Sequence, residues 1–162
     1  MLFRCVLALL AATVLAAPGP RAAERKLAVF DFELVDSSLE GDLKGMRADE
    51  QARLAGLGAR LRQKLRESGG FALVDIAPVS AEAHASNLQS CGGCDVRFAR
   101  RLGAALSVTG VVQKVSNLIL NINVYVRDTG SGQLVAAASV DIRGNTDESW
   151  TRGLDWLLRN RL

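Results

Sequence analysis

Two stretches of this chain alternate apolar and polar side chains with a period of two, and a short polar loop separates them. Leu118, Leu120, Ile122, Val124 and Val126 share one phase of the first stretch, and Asn121, Asn123, Tyr125 and Arg127 share the other. Leu134, Ala136, Ala138, Val140 and Ile142 repeat the apolar phase in the second. Successive side chains of a strand point to opposite faces, so the pattern predicts an antiparallel hairpin turned by residues 128–133. One of its faces meets a core and the other faces solvent. A further strand, Val108 to Val115, precedes it and turns at Ser116 and Asn117.

Upstream the period changes to that of helices. Leu54, Leu57, Leu61 and Leu65 form one apolar stripe in a segment that Asp49 can cap and that runs to about Ser68. Arg60, Arg62, Lys64 and Arg66 lie off the stripe, and Gly69 and Gly70 stop the helix. Lys26 to Leu34 before it reads as a strand, Val35 to Ala48 as a loop, and Phe71 to Asp75 as a short buried strand. Strand, helix and strand at this spacing make a βαβ unit with parallel strands. Pro78 to Gln89 reads as a helical turn with a loop. A second helix starts near Asp95, with Val96, Ala99, Leu102, Gly103 and Leu106 inward and Arg97, Arg100 and Arg101 outward. Thr146 opens a last helix, with acidic residues at its head and Arg159 and Arg161 at its tail, as the helix dipole favours. The order is β-α-β-α-β-β-β-α. The fold class is α/β of the α+β type: a two-layer mixed sheet of about five strands with helices packed on it.

The first residues have a different character. Arg4 is followed by an apolar run from Cys5 to Ala17, and Pro18, Gly19 and Pro20 break it. That is the layout of a secretory signal peptide, and the run is shorter than the roughly 20 residues a membrane-spanning helix needs. Cys5 precedes the run instead of following it, which argues against lipid attachment. The expected division is a signal peptide over 1–23 and one domain over 24–162. The mature protein is then periplasmic, with no stable membrane insertion after cleavage. The net charge of +3 comes from well-mixed Lys, Arg, Asp and Glu without a basic run, so no nucleic-acid partner is implied.

Four stretches carry a resemblance: KLAVFDFEL, ARLRQKLRESGGFALVD, ARRLGAALSVTGVVQKVSN and LILNINVYVRDTGSGQLVAAASVDI. In this order they resemble the amino-terminal domain of TolB and its envelope relatives, which include CsgG and LpoB. The resemblance implies a two-layer α/β domain of the bacterial envelope that binds another periplasmic or envelope protein and is not an enzyme. The ending RGNTDESWTRGLDWLL and the CGGC segment depart from that pattern and look like a narrower family of proteobacterial secreted proteins.

Cys91 and Cys94 are the sharpest local feature. In an oxidising compartment two such cysteines pair, here as a small brace before the second helix. A redox-active pair is one alternative, because Cys94 falls at a helix N-terminus. A metal site is the other, although His84 would supply only a third ligand where structural zinc takes four. His84 alone reads as a surface residue, and Asp31 and Glu33 as polar residues at a strand end. No GxSxG, HExxH, P-loop or dinucleotide fingerprint is present, so no catalytic residue, metal or cofactor is assigned. The candidate binding surface is the polar face of Asn121, Asn123, Tyr125 and Arg127. Trp156 joins it as a candidate, because it lies nearly opposite the stripe of Trp150, Leu154, Leu157 and Leu158. The expectation is a non-enzymatic interaction module. A thiol-redox or metal-handling protein built on Cys91 and Cys94 is the alternative.

Overall fold

The computed structural model describes residues 24–161; the expected signal peptide lies outside them. Strand β1 (Arg25–Asp36) leads to a short helix α1 (Leu39–Lys44) and then to α2 (Ala48–Ser68). Strand β2 (Phe71–Leu73), a 3-10 turn (Ala77–Val79) and the helices α3 (Ser80–His84) and α4 (Cys94–Arg101) follow. Strands β3 (Leu106–Lys114), β4 (Ile119–Asp128) and β5 (Leu134–Arg143) and helix α5 (Asp147–Asn160) complete the domain. The five strands form one sheet in the order β2-β1-β3-β4-β5. β1 pairs parallel with both β2 and β3, and the β3–β4 and β4–β5 pairs are antiparallel. The α+β class, the main element order and the parallel βαβ unit are as the patterns predict.

Helices α2 and α5 lie on one face of the sheet. Leu54, Leu57 and Leu61 of α2 and Trp150, Leu154 and Leu157 of α5 bury against Leu27, Val29, Val108, Val112, Leu120, Ile122 and Val124. Gly153 permits the close seating of α5, because a Cβ there would run into Ile142. The other face is covered where β1 and β3 lie. Ala28 and Phe30 meet Val79, Ala83, Leu88, Cys94, Phe98 and Ala99 in a second cluster. A bulge between Val29 and Phe32 changes the phase of β1, so Phe32 joins Leu27 and Val29 on the α2 side. Glu33 consequently turns to the second face, where its Oε1 accepts from the Leu88 N–H at 2.7 Å.

Some local expectations change. The segment expected as a loop holds α1, whose N-cap Ser38 accepts from the Gly41 N–H at 3.1 Å. Helix α2 is capped two residues earlier than expected, at Arg47 in place of Asp49, with Glu50 accepting from the Arg47 N–H at 3.0 Å. Leu118 and Leu134 do not join the core; they are 70 % and 47 % exposed, because one precedes β4 and the other begins the edge strand. Among the described residues no helix is long and apolar enough to cross a membrane.

Candidate functional site

Lys114 ends β3 in phase with Leu106, Val108 and Val112, so the strand carries an amine into the core side of the sheet. Its Nζ donates to Glu50 Oε1 at 2.7 Å and to Asp36 Oδ2 at 3.0 Å. The side chains of Lys114 and Glu50 are 1 % and 0 % exposed. Glu50 Oε1 also accepts from Asn145 Nδ2 at 2.7 Å. Asn145 in turn is tied to the β3–β4 turn, its N–H donating to the Asn117 carbonyl at 2.8 Å. One buried ion cluster thus binds the ends of β1 and β3, the head of α2, the β3–β4 turn and the β5–α5 turn.

Each buried charge keeps its ionised form because its partners outweigh dehydration. Burial pushes the Glu50 carboxyl pKa up, but hydrogen bonds from Lys114, the Arg47 N–H and Asn145 bring it below the ordinary value. Asp36 is likewise lowered, burial being outweighed by Ser38 and Lys114. For Lys114 burial acts downward and is outweighed by Glu50 and Asp36, so its pKa is raised.

Around this rigid end the surface is apolar. Val35, Leu39, Leu43, Met46, Val115, Leu118 and Ile119 are all exposed there, Leu39 at 73 % and Leu43 at 74 %. Helix α1 buries no residue of its own. It is held beside the β3–β4 turn by Asn117 Nδ2, which donates to Glu40 Oε2 at 2.8 Å. A concentration of large exposed apolar side chains is the mark of an interaction surface.

The expected binding face is divided. Asn121 stays at the surface, its Nδ2 donating to Asp141 Oδ1 at 2.8 Å and to Ser139 Oγ at 3.0 Å. Asn123, expected to face solvent, is instead buried at 8 % in the row between Val111 and Ser139. Tyr125 is half-buried. The guanidinium of Arg127 lies 3.7 Å from Asp95, which is buried in the first turn of α4 and accepts from Ser107 Oγ at 2.8 Å. Trp156 is 40 % exposed on α5, with the Arg161 guanidinium 5.8 Å from its ring centroid. It therefore belongs to the other side of the sheet and does not extend this face.

Cys91 and Cys94 are joined, with Cα atoms 5.7 Å apart. Gly92 and Gly93 between them both hold positive φ, 67° and 84°, which a residue with a Cβ rarely adopts. Cys94 is 2 % exposed and packs with Phe30 and Phe98. His84 does not approach them; its Nε2 is 3.0 Å from Asp31 Oδ2, and Arg62 pairs with the other Asp31 oxygen at 2.5 Å. Among the described residues no group of three His, Cys, Asp or Glu side chains is arranged to hold a metal.

The buried cluster and the apolar end were both missed by sequence reasoning, and each left a signal. Lys114 occupies a core phase of its strand. Glu50 lies four residues before Leu54 on the stripe of α2. Leu39 and Leu43 are spaced by one helical turn inside a segment read as a loop.

Comparison with known proteins adds fold and family. The profile of DUF3280, described as "Protein of unknown function (DUF2380)", matches residues 25–162. No curated protein sequence matches the chain. Among solved structures, the LpoB C-terminal domain from Escherichia coli aligns at a TM-score of 0.53 and 18 % identity, covering 78 % of this chain and 87 % of that one. The same domain from Salmonella enterica aligns at 0.53 and 14 % identity, covering 74 % and 83 %. A PelC dodecamer subunit from Paraburkholderia phytofirmans aligns at 0.50 and 15 % identity, covering 88 % and 91 %. At these identities the likeness is one of fold.

Proposed function

The chain belongs to the DUF3280 family, and from that membership, its fold and its exposed apolar end we propose that it is a non-enzymatic protein-interaction module of the bacterial cell envelope. On this reading residues 1–23 are a signal peptide, and the domain works in the periplasm as a relative of the TolB amino-terminal domain and of CsgG and LpoB. Its partner is another envelope protein. The fold shared with the LpoB domains supports that kinship. The Cys91–Cys94 bond, packed in an apolar cluster, supports a bracing role for the pair in place of the redox one.

The observation that carries the reading is the apolar end. Leu39 and Leu43 are presented on a helix that buries none of its own residues, while the buried Lys114 cluster holds the strands and turns around it in place. Large apolar residues set among the paired charges of Glu40, Lys44 and Arg47 suit a partner with an apolar contact and a polar rim. The test is capture of partners from periplasmic extract by the exported protein and by a Leu39→Glu, Leu43→Glu variant. A partner held by the first and released by the second, at equal melting temperature, is expected. Identical capture by both proteins would remove the apolar end from the function.

A further inference from the structure

The opposite end of the domain holds a second apolar feature. Helices α2 and α5 leave a groove of about 700 Å³ over the sheet, between the last turns of the two helices and the starts of β1, β2, β3 and β5. Its volume is in the range of small-molecule sites. Its floor is Leu27, Leu61, Leu106, Val108 and Val124, each no more than 3 % exposed. The floor is thus closed by packing, and a ligand in the groove meets mainly its apolar walls and rim. Leu65, Phe71, Val126 and Leu158 form half-buried walls.

Two further observations say what the groove takes. Val135 is the extra residue of a bulge, since Val126 pairs with Ala136 and Arg127 with Leu134. Bulges re-aim side chains, and this one brings Val135 to the groove, where it is 53 % exposed. The lip is cationic: Arg25, Lys64 and Arg159 stand there against one carboxylate, Glu67. Lys64 is 3.1 Å from Glu67, whereas Arg25 and Arg159 have no carboxylate within 4 Å among the described residues, Asp128 and Asp155 acting on them only from farther off. An apolar groove with two such guanidiniums at its mouth is complementary to a molecule with a long alkyl chain and an anionic head.

We propose that this groove binds the acyl chain of a single-chain anionic amphiphile of the fatty-acid class, with its head group on Arg25 and Arg159. The site lies at the end of the sheet away from Leu39 and Leu43, so it stands or falls separately from the protein-interaction reading.

The probe is cis-parinaric acid, a fluorescent fatty acid, titrated into the full chain and displaced by palmitate or by uncharged methyl palmitate. Saturable binding of one probe per chain is expected, with palmitate the better competitor. Arg25→Ala with Arg159→Ala should weaken palmitate roughly tenfold. Ala136→Trp, which fills the groove from the sheet, should abolish binding, and circular dichroism shows whether that variant is folded. Should it not fold, Val135→Asp serves as the blocking variant. Leu39→Glu with Leu43→Glu should bind as the unaltered chain does. Absent or unsaturable binding, unchanged binding in the folded blocking variant, or equal competition by the ester would overturn the proposal. So would a dimer that the blocking variant separates in sedimentation, with no fatty-acid binding, since the groove would then be a self-interface.

Discussion

Lys114→Met is the most informative single change to this fold. It leaves Glu50, whose side chain is 0 % exposed, without the amine that faces it at 2.7 Å. Removing one partner of a buried pair costs about 3–5 kcal/mol. Glu50 retains the bonds from Asn145 and from the Arg47 N–H, which places the loss near the lower figure, about 3 kcal/mol. For a domain of this size that corresponds to a fall of roughly 10 °C in melting temperature. Adding Glu50→Leu removes the orphaned charge, and such apolar replacements of buried pairs are often neutral or better, so the double variant should recover much of the loss. Asp36, its side chain 11 % exposed, keeps the Ser38 N–H and reaches water. Urea unfolding of the two variants, with unchanged slopes, gives both numbers. The dependence on pH has a definite sign. Asp36 and Glu50 are lowered in the fold, so their contribution is complete above the ordinary carboxylate range, about pH 4, and is lost as pH falls through their lowered values. Lys114 is raised, so its contribution is complete below about pH 10 and is lost as pH rises through its raised value. The gap between the unaltered protein and Lys114→Met should therefore narrow below about pH 4. A loss under about 1 kcal/mol, or a double variant no more stable than the single one, would refute the reasoning, since the cluster would then act as a hydrated surface pair.

Four further variants test the packing. Gly153→Ala raises helix propensity by up to about 1 kcal/mol but drives a Cβ into Ile142, so a net loss of about 1–2 kcal/mol is expected in thermal melts. Cys91→Ser with Cys94→Ser should leave a folded protein destabilised by about 2 kcal/mol, and thiol counting on the native protein should find neither of these cysteines free. Ile122→Asp should abolish folding, and Asn123→Asp, also buried, should cost about 1–3 kcal/mol; far-ultraviolet dichroism and urea midpoints distinguish these outcomes from an unperturbed sheet.

Much of the fold was legible because it repeats. The stripes of α2 and α5 and the two-residue alternation of β4 and β5 are local patterns, and each names the face that buries. Leu120, Ile122 and Val124, at 0–1 % exposure, follow the alternation. Asn123 breaks it, because a strand flanked on both sides can bury a polar residue without any covering helix. The candidate site was less legible. Cys91 and Cys94 are neighbours in sequence, so their pairing is a local matter. Asp31 meets His84 and Arg62 only because α2 and α3 flank β1.

The sequence by itself determined the long helices and strands, and which side of most of them is apolar, because both follow from the spacing of neighbouring residues. Only the tertiary structure decided that Lys114, Glu50, Asp36 and Asn145 share one hydrogen-bonded cluster, that Leu39 and Leu43 remain uncovered, and that α2 and α5 part to leave a groove. The physical reason is that burial depends on what packs across the sheet. Contacts such as Lys114 to Glu50, 64 residues apart, are set by strand order and helix placement, and no local period records them.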